Sequence, residues 1–394
     1  MTNITCKGFK AAGIASGLKK NGGKDLGLIY SEVPATAAGV FTNNLVQAAP
    51  VLLDRARIKS GRCQAVIVNS GNANCCTGDQ GMRDAVAMTR FAASGLKISE
   101  DLVLAASTGV IGQPLDTEKI KTAMPELIKD IKPDGIEILS EAIMTTDTVP
   151  KVVSRQGKME GKLYTVTGVA KGSGMIRPDM ATMLCFVITD IKISHDLLTE
   201  TLSAATDKSF NRINVDGDTS TNDTILVLAN GLSGAKVENP VHKNSFQMVL
   251  DKVLTDLAKM VVKDGEGATK LVEIIIKGAL TDEHAYKIAD TVSNSNLVKT
   301  ALFGEDANWG RILAATGRAG IKIDPYKIDI FFDNVMIAEN GMWCGEKAEI
   351  EATEILKRDE FAICVDLNMG QGSASIFTCD FSVEYVKINA DYRS

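Results

Sequence analysis

The sequence predicts an α+β protein, a layered sandwich of β-sheets covered by helices. Segments rich in β-branched and apolar residues occur together with segments of helical spacing along all 394 residues. The strand segments cluster instead of alternating strictly with helices, which disfavours a single parallel doubly wound sheet. The composition supports a globular chain with a large core, since 45% of the residues are hydrophobic, 23% are charged and 34 are glycine.

The first part of the chain contains five predicted strands and two predicted helices. The strands have high β propensity and span 26–30, 39–42, 64–69, 102–107 and 163–170. Apolar residues at three- and four-residue spacing predict helices over 82–93 and 117–131. Pro125 lies inside the second helix and is expected to kink it or to delay its start.

The second part begins with an apolar strand predicted over 182–189. Ser194 is the expected N-cap of a helix that runs to about Lys208, and Asn244 that of a helix that ends near Val262. One further helix is predicted around 285–302. Strands are predicted over 224–229, 271–276, 328–332, 361–367, 373–379 and 382–388.

Charge and hydropathy exclude several classes of partner. The formal net charge is -6 and no run of Lys and Arg is long enough to follow a phosphate backbone, so we expect no nucleic acid partner. No apolar segment approaches the roughly 20 residues that span a bilayer, so we expect no membrane partner. The N-terminal segment lacks the basic-then-apolar order of a secretory signal, which predicts a cytoplasmic protein acting on small molecules.

The sequence predicts no metal site and no nucleotide site. The eight cysteines form no CxxC pair and are expected to be reduced core residues, and the adjacent Cys75 and Cys76 have neither a histidine nearby nor a second pair. Residues 212–224 lack the final Glu of an EF-hand, which favours a turn network over calcium. Residues 264–270 lack the spacing of a phosphate-binding loop and precede a strand.

The segment KGSGMIRPDMATML, residues 171–184, offers a candidate nucleophile. Its glycines and proline permit a strained peptide bond before Thr182. If the bond between Ala181 and Thr182 were cut, Thr182 would gain an α-amine of pKa roughly 7.7 to 8.0, which suits a general base at neutral pH. None of the three histidines lies beside this Gly-rich turn, so one residue would supply both nucleophile and base. The alternative is a threonine at the edge of a strand.

Four other segments offer polar groups for a site. Thr108 and Gly109 follow a predicted strand and could stabilise an oxyanion, although a plain turn explains them too. Residues 144–151 cluster three threonines and an aspartate, which suit a polar pocket or turn capping. Lys171 could bind a carboxylate and Glu266 a cationic amine. The C-terminal INADYRS could fold over a pocket with Asn389 and its terminal carboxylate, or fray.

Taken together, these segments resemble the ornithine acetyltransferase (glutamate N-acetyltransferase) family of arginine biosynthesis. The resemblance spans nearly the whole chain, in the order of the family's motifs. It includes GFKAAGIASGLKK and GVFTNN near the N-terminus and GEDANWGRI at 304–312. The block KGSGMIRPDMATML is its most specific part.

The resemblance implies self-cleavage between Ala181 and Thr182. The resulting chains, residues 1–181 and 182–394, would stay interlocked in an N-terminal-nucleophile-like fold and assemble as an α2β2 heterotetramer. Thr182 would take the acetyl group from N-acetylornithine and release ornithine. Glutamate would then collect the acetyl group and leave as N-acetylglutamate.

The resemblance also implies the roles of individual residues. Thr108 and Gly109 would form the oxyanion hole. The residues that contact substrate would be Thr148, Lys171, Thr182, Glu266, Asn389 and Ser394. Thr145 and Thr146 compete with Thr148 within one short run. No metal and no cofactor are implied, and whether acetyl-CoA also serves as acetyl donor stays open.

Two alternatives remain at this stage. The first is an N-terminal-nucleophile amidase or aminopeptidase, which would hydrolyse its acyl intermediate with water. The second is an uncleaved binding protein that keeps the fold without catalysis. Product formation with and without glutamate separates the first from a transferase, and a single intact chain would indicate the second.

Overall fold

The computed structural model describes residues 5–177 and 183–390. The chain forms two compact units, and both are assembled from several segments. The first unit comprises residues 1–175, 179–211 and 218–261, and the second comprises 176–178, 212–217 and 262–394.

The described strands of the first unit form one mixed sheet with the order β4-β3-β2-β9-β7-β6-β5, and β1 pairs with β2. The strands are β1 Phe9–Ile14, β2 Leu26–Phe41, β3 Arg62–Asn72, β4 Val103–Val110, β5 Lys151–Met159, β6 Lys162–Lys171, β7 Leu184–Thr189 and β9 Thr224–Ala229; β8, Ile213–Asn214, belongs to the second unit. The helices are α1 Ala49–Arg57, α2 Gly78–Leu96, α3 Thr117–Lys129, α4 Ile136–Ile143, α5 His195–Lys208 and α6 Pro240–Lys263.

Both faces of this sheet are buried in its central strands. In β3, Ala65 and Ile67 pack into one apolar cluster with residues of α2 and α3, whereas Val66 and Val68 pack into a second cluster on the other side. Every residue of β7 and β9 is buried. Continuous apolar segments such as LCFVIT therefore form strands, because neither face needs polar side chains.

The structure corrects the sequence prediction at β2. The segments 26–30 and 39–42 belong to one strand, Leu26–Phe41, although Pro34 lies between them. The register with β3 shifts between Tyr30 and Ala35, and from Thr36 onward β2 pairs with β9. A bulge accommodates a proline that cannot donate to the ladder, so the strand continues past it.

The helix starts of the first unit were predicted with mixed success. Ser194 caps α5 as predicted, since its hydroxyl accepts the backbone N–H of Leu197. Pro125 lies inside α3 without delaying its start at Thr117. The cap predicted at Asn244 is wrong, because α6 begins at Pro240 and the Asn239 side chain accepts the N–H of His242 at 2.9 Å. Proline suits the first helical position, where no N–H is needed.

The described strands of the second unit form a sheet with the order β13-β12-β11-β14-β10-β15-β8. These strands are β10 Leu271–Ala279, β11 Asp329–Phe332, β12 Val335–Glu339, β13 Met342–Trp343, β14 Glu360–Asp366 and β15 Gly372–Cys379. Its helices are α7 Asp282–Ser293, α8 Asn296–Phe303, α9 Trp309–Gly317, α10 Glu346–Leu356 and α11 Val383–Ala390. The α+β class predicted from the sequence is confirmed.

Two predictions for the second unit are wrong. The helix expected around 285–302 is two helices, α7 and α8, because Asn294 ends the first and Ser295 caps the second. The strand expected over 382–388 is helix α11. The Asp380 carboxylate accepts the backbone N–H groups of Thr269 and Lys270, which turns the chain away from the sheet after β15.

Two properties of the described residues bear on the function classes. Among them, no helix has the length and hydropathy needed to span a membrane. In the same part of the chain, no group of three or more His, Cys, Asp or Glu side chains is placed to hold a metal ion.

Candidate active site

Thr108 and Gly109 lie at the end of β4, beside the end of β3. Gly109 has φ +133°, and a Cβ on it would lie 2.3 Å from the carbonyl carbon of Gly71. Only glycine permits this close approach of the two strand ends. Thr108 is 4% exposed, so its hydroxyl lies in a protected environment.

Lys171, the last residue of β6, contacts Thr108. Its ammonium group donates to Thr108 Oγ1 at 3.2 Å and to Thr145 Oγ1 at 2.8 Å, and the side chain is buried. An ammonium has only donors, so the Thr108 oxygen is the acceptor in this bond. The hydroxyl proton of Thr108 is thereby directed to some other acceptor, which is what an oxyanion donor requires.

Asp147 anchors the segment that carries Thr145. Its carboxylate accepts from Lys151 Nζ at 2.7 Å, from the Gly172 N–H at 2.7 Å and from the Thr145 N–H at 3.0 Å. Burial by itself raises the pKa of Asp147, but the charges of Lys171 and Lys151 and these hydrogen bonds outweigh it and lower the pKa to about 2. Asp147 is therefore a carboxylate at neutral pH and compensates the buried ammonium groups.

The three threonines of the 144–151 segment differ in their surroundings. Thr145 contacts Lys171, the Thr146 hydroxyl shares a hydrogen bond of 2.7 Å with Ser173 Oγ, and Thr148 is exposed. The sequence left open which of them contacts substrate. The structure distinguishes Thr145 as the one that contacts Lys171, and a contact of Thr148 with substrate stays a prediction.

The predicted nucleophile Thr182 and its neighbour Ala181 lie outside the described residues. The described chain resumes at Met183, whose N–H donates to Asp223 Oδ1 at 2.9 Å. Strand β7 follows, between β6 and β9 at the centre of the sheet, and Leu184 pairs with Lys171. The start of β7 is thus adjacent to the end of β6 that carries Lys171.

The turn network predicted for 212–224 includes a connection to β4 within the first unit. The Asn222 amide donates to the Ser107 carbonyl at 2.9 Å and to the Ala73 carbonyl at 2.7 Å. These bonds fix the backbone just before Thr108. Asp147 is the aspartate of the segment predicted to line a polar pocket or to cap a turn, and Asn222 and Asp223 belong to the predicted turn network, but none of the three was predicted individually as a site residue. The position of Asp223 directly before an apolar strand is a signal that could have identified it.

In the second unit, the structure brings Glu266 and Asn389 together. The Asn389 amide donates to Glu266 Oε2 at 2.7 Å, and Glu266 is 8% exposed. The Ser382 hydroxyl donates to the carbonyl of Gly267 at 2.6 Å, which ties the loop before β10 to the segment that starts α11. Ser394, the remaining predicted substrate contact, lies outside the described residues.

Histidine and cysteine have other environments. His195 Nδ1 lies 2.9 Å from the Ala37 carbonyl, and His242 Nε2 lies 3.4 Å from the Glu160 carboxylate. Cys75 is buried and Cys76 is exposed, with 3.7 Å between their sulfur atoms. Five of the cysteines are buried, as expected of core residues.

Comparisons with known proteins agree with the predicted family. Two chains named arginine biosynthesis bifunctional protein ArgJ are similar to this one along its length. That of Geobacter sulfurreducens is 50% identical over 393 residues, covering 99% of this chain and 100% of that protein. That of Bacillus anthracis is 47% identical over 394 residues, covering 99% and 96%.

A crystal structure of the protein of the same name from Bacillus halodurans is 43% identical, with a TM-score of 0.50. The match covers 52% of this chain and 97% of that one. The family model described as ArgJ family matches residues 10–394. This chain therefore belongs to the ArgJ family.

Proposed function

We propose that the protein transfers an acetyl group from N-acetylornithine to glutamate through an ester on Thr182. Membership of a family whose relatives are named for arginine biosynthesis supports this pathway. The bond from Lys171 to Thr108 is the observation that carries the chemistry, since it prepares a hydroxyl donor beside the start of β7. Enzymes with an N-terminal nucleophile need such a donor for the tetrahedral intermediate.

The first half-reaction forms the acetyl-enzyme. The free α-amine of Thr182 accepts the hydroxyl proton while the oxygen attacks the acetyl carbonyl, and the Thr108 hydroxyl and the Gly109 N–H stabilise the oxyanion. The amide bond then breaks, and the α-nitrogen of ornithine leaves with the proton that the amine held. Glu266, held by Asn389, is the partner for the cationic side chain of ornithine.

The second half-reaction regenerates the enzyme. The neutral amine of glutamate attacks the ester, and the same donors stabilise the second tetrahedral intermediate. The α-amine of Thr182 takes a proton from the attacking nitrogen and passes it to the Thr182 oxygen, which leaves as a hydroxyl group. One covalent intermediate thus serves two amino acids in turn. Contacts of Thr148, Lys171 and Ser394 with these substrates are part of the proposal.

Self-cleavage between Ala181 and Thr182 is part of the same proposal. It would give an α chain of residues 1–181 and a β chain of residues 182–394, and strands β6 and β7, one from each chain, pair along six residues of the sheet. Such pairing would hold the fragments together. The solved Bacillus halodurans chain corresponds to about half of this one, which suits a separate chain.

We also propose acetyl-CoA as a second acetyl donor, because the relatives are named bifunctional. No metal and no further cofactor take part in the proposed cycle. The α2β2 assembly and the cytoplasmic location stay predictions.

Thr182→Ala tests the proposal most directly. We expect this variant to remain one chain of 42.0 kDa on denaturing electrophoresis and to show no transfer, because it lacks the attacking oxygen. Thr353→Ala, at a half-buried position of α10 in the second unit, is the control and should cleave normally. Two fragments from Thr182→Ala would contradict the proposal.

Product analysis separates transfer from hydrolysis. Purified enzyme is incubated with N-acetylornithine, with and without glutamate, and acetate and N-acetylglutamate are measured. Transfer predicts N-acetylglutamate with glutamate and little acetate without it. Rapid acetate release without glutamate would favour an amidase instead. Replacing N-acetylornithine by acetyl-CoA tests the second donor.

A further inference from the structure

The proposed self-cleavage needs a base other than the α-amine of Thr182, because that amine forms only when the chain is cut. During turnover the α-amine of Thr182 accepts the proton of its own hydroxyl, but before the cut this nitrogen is an amide, which is not a base. A hydroxyl group needs a proton acceptor to attack a peptide carbonyl at a useful rate. His195 and His242, two candidates by residue type, contact Ala37 and Glu160.

The Asp223 carboxyl group is hydrogen-bonded to the N–H of Met183, directly after Thr182 in the sequence. It is fully buried, and its Oδ1 accepts this hydrogen bond. Among the described residues its Oδ2 has no hydrogen-bond partner. Buried carboxyl oxygens are seldom left unpaired, so this one is expected to hold a proton or to receive one.

The surroundings of Asp223 connect it to the oxyanion donors. Lys171, which contacts Thr108, is the charged group that acts on Asp223. The hydroxyl groups of Thr42 and Ser220 also face the carboxyl group and favour its ionised form, although Thr42 donates its proton to the Ser220 carbonyl at 2.6 Å.

Burial nevertheless has the largest effect on the pKa of Asp223. It raises the pKa of Asp223 well above the ordinary range, and the Met183 N–H and Lys171 lower it only in part. A carboxylate with a raised pKa is a stronger base than an ordinary one.

We propose that Asp223 is the proton acceptor for self-cleavage, an inference that rests on the proposed function. The Thr182 oxygen attacks the carbonyl carbon of Ala181 and gives its proton to Asp223. The carbon–nitrogen bond breaks, the nitrogen takes the proton back from Asp223, and an ester between Ala181 and Thr182 remains. Water then hydrolyses this ester to the carboxylate of Ala181 and the hydroxyl of Thr182.

A second buried carboxyl group of the same unit provides a matched control. Asp54 is also fully buried, its Oδ1 accepts the N–H of Ala105 at 3.0 Å, and its Oδ2 also has no partner among the described residues. Burial raises its pKa as well. Asp54 and Asp223 thus share full burial, one backbone N–H donor and the charge of one nearby basic residue, Arg57 or Lys171. They differ in the peptide unit that each one holds and in the Thr42 and Ser220 hydroxyl groups, which act on Asp223.

The experiment follows cleavage of newly made chains. Wild type, Asp223→Asn and Asp54→Asn are synthesised by cell-free translation with labelled methionine, and the intact chain and fragments are measured over time by denaturing electrophoresis. Asparagine keeps an oxygen for the Met183 N–H and removes the ionisable group. We expect Asp223→Asn to cleave at least about 10²-fold more slowly than wild type, and Asp54→Asn to cleave at nearly the wild-type rate.

The pH dependence of wild-type cleavage is an independent readout that does not depend on how a variant folds. The base must be ionised, so the rate should rise with pH through the raised pKa of Asp223, with a midpoint well above the ordinary value of about 3.9. Asp54→Asn should keep this rise, and the residual cleavage of Asp223→Asn should lose it.

Two outcomes would overturn the inference. One is cleavage of Asp223→Asn at the wild-type rate, and the other is a wild-type rate that does not change with pH above about pH 4. Either result leaves the proposed transferase intact, because that proposal is tested by Thr182→Ala. Cleavage of Thr182→Ala would instead remove both.

Discussion

The two sheets of this protein are buried in different ways. In the first unit β7 and β9 are buried at every residue, and both faces of β3 pack into apolar clusters. In the second unit β14 alternates between buried residues and half-buried or exposed ones, and the apolar cluster covers one face. In the first unit two polar side chains at strand ends, Thr108 of β4 and Lys171 of β6, are also buried, and the predicted oxyanion donors lie there.

Two lysines, one in each unit, are buried but have different hydrogen-bond partners. Lys171 in the first unit donates to the hydroxyl oxygens of Thr108 and Thr145. Lys299 in the second unit is equally buried and donates to the Thr378 hydroxyl and the Cys379 carbonyl. The Cys379 carbonyl has no proton to give, and the Thr378 hydroxyl gives its own to the Ser293 carbonyl at 3.3 Å. The Thr108 proton is instead the one that we propose for the oxyanion. Burial of a charge does not identify a site, but the chemistry of its partner does.

The strongest test of this comparison is a matched pair of variants. Lys171→Met should lower kcat about 10²- to 10³-fold, since the Thr108 hydroxyl loses the donor that orients it. Lys299→Met should instead lower the free energy of unfolding by about 1–3 kcal/mol, because a buried carbonyl and hydroxyl lose their partner, while the folded enzyme keeps its activity. Transfer assays and thermal unfolding measure both. Equal effects of the two variants on kcat would contradict the different roles assigned to Lys171 and Lys299.

The acid stability of the first unit depends on Asp147. Its folded pKa of about 2 lies below the unfolded value of about 3.9, so its contribution is present above the unfolded pKa and is lost as the pH falls through the folded pKa. That contribution is about 2–3 kcal/mol at neutral pH. Asp147→Asn should remove it, which urea unfolding at pH 7 and at pH 3 can measure. Loss of the same stability at both pH values would contradict this role.

A smaller effect is expected at the Glu266 and Asn389 pair of the second unit. Glu266→Gln should raise KM for N-acetylornithine about tenfold with little change in kcat, because a hydrogen bond to a charged group is weakened in substrate and transition state alike. Glu305→Gln is the control, since Glu305 forms a half-exposed ion pair with Lys270 that contributes about 0–1 kcal/mol. An unchanged KM for Glu266→Gln would exclude Glu266 as the partner of the ornithine side chain.

Much of the fold could be predicted from local sequence. The apolar segments of β3, β7 and β9, and the cap of α5 at Ser194, follow from residue type and spacing alone. The segments whose structure was predicted wrongly depend on contacts with distant parts of the chain. Strand β2 continues past Pro34 because two partners share it, and residues 383–390 form a helix because Asp380 turns the chain away from the sheet.

The candidate site was likewise predictable from the sequence only in part. Residue types and motif order were enough to select Thr108, Gly109, Lys171, Glu266 and Asn389. Asp147, Asn222 and Asp223 lay in segments predicted as a polar pocket or a turn network, but their individual roles were missed because each acts on backbone groups of distant segments. Such bonds leave no periodic pattern in the sequence, since they join residues that only folding brings together.

The sequence by itself determined the family, the α+β class and the residue types available for acyl transfer, because these depend on composition, spacing and motif order. Tertiary structure decided which hydroxyl group Lys171 contacts and which backbone amide Asp223 holds. The physical reason is that hydrogen bonding and desolvation depend on distances of a few ångströms between segments far apart in the chain. Only the packed sheet sets those distances.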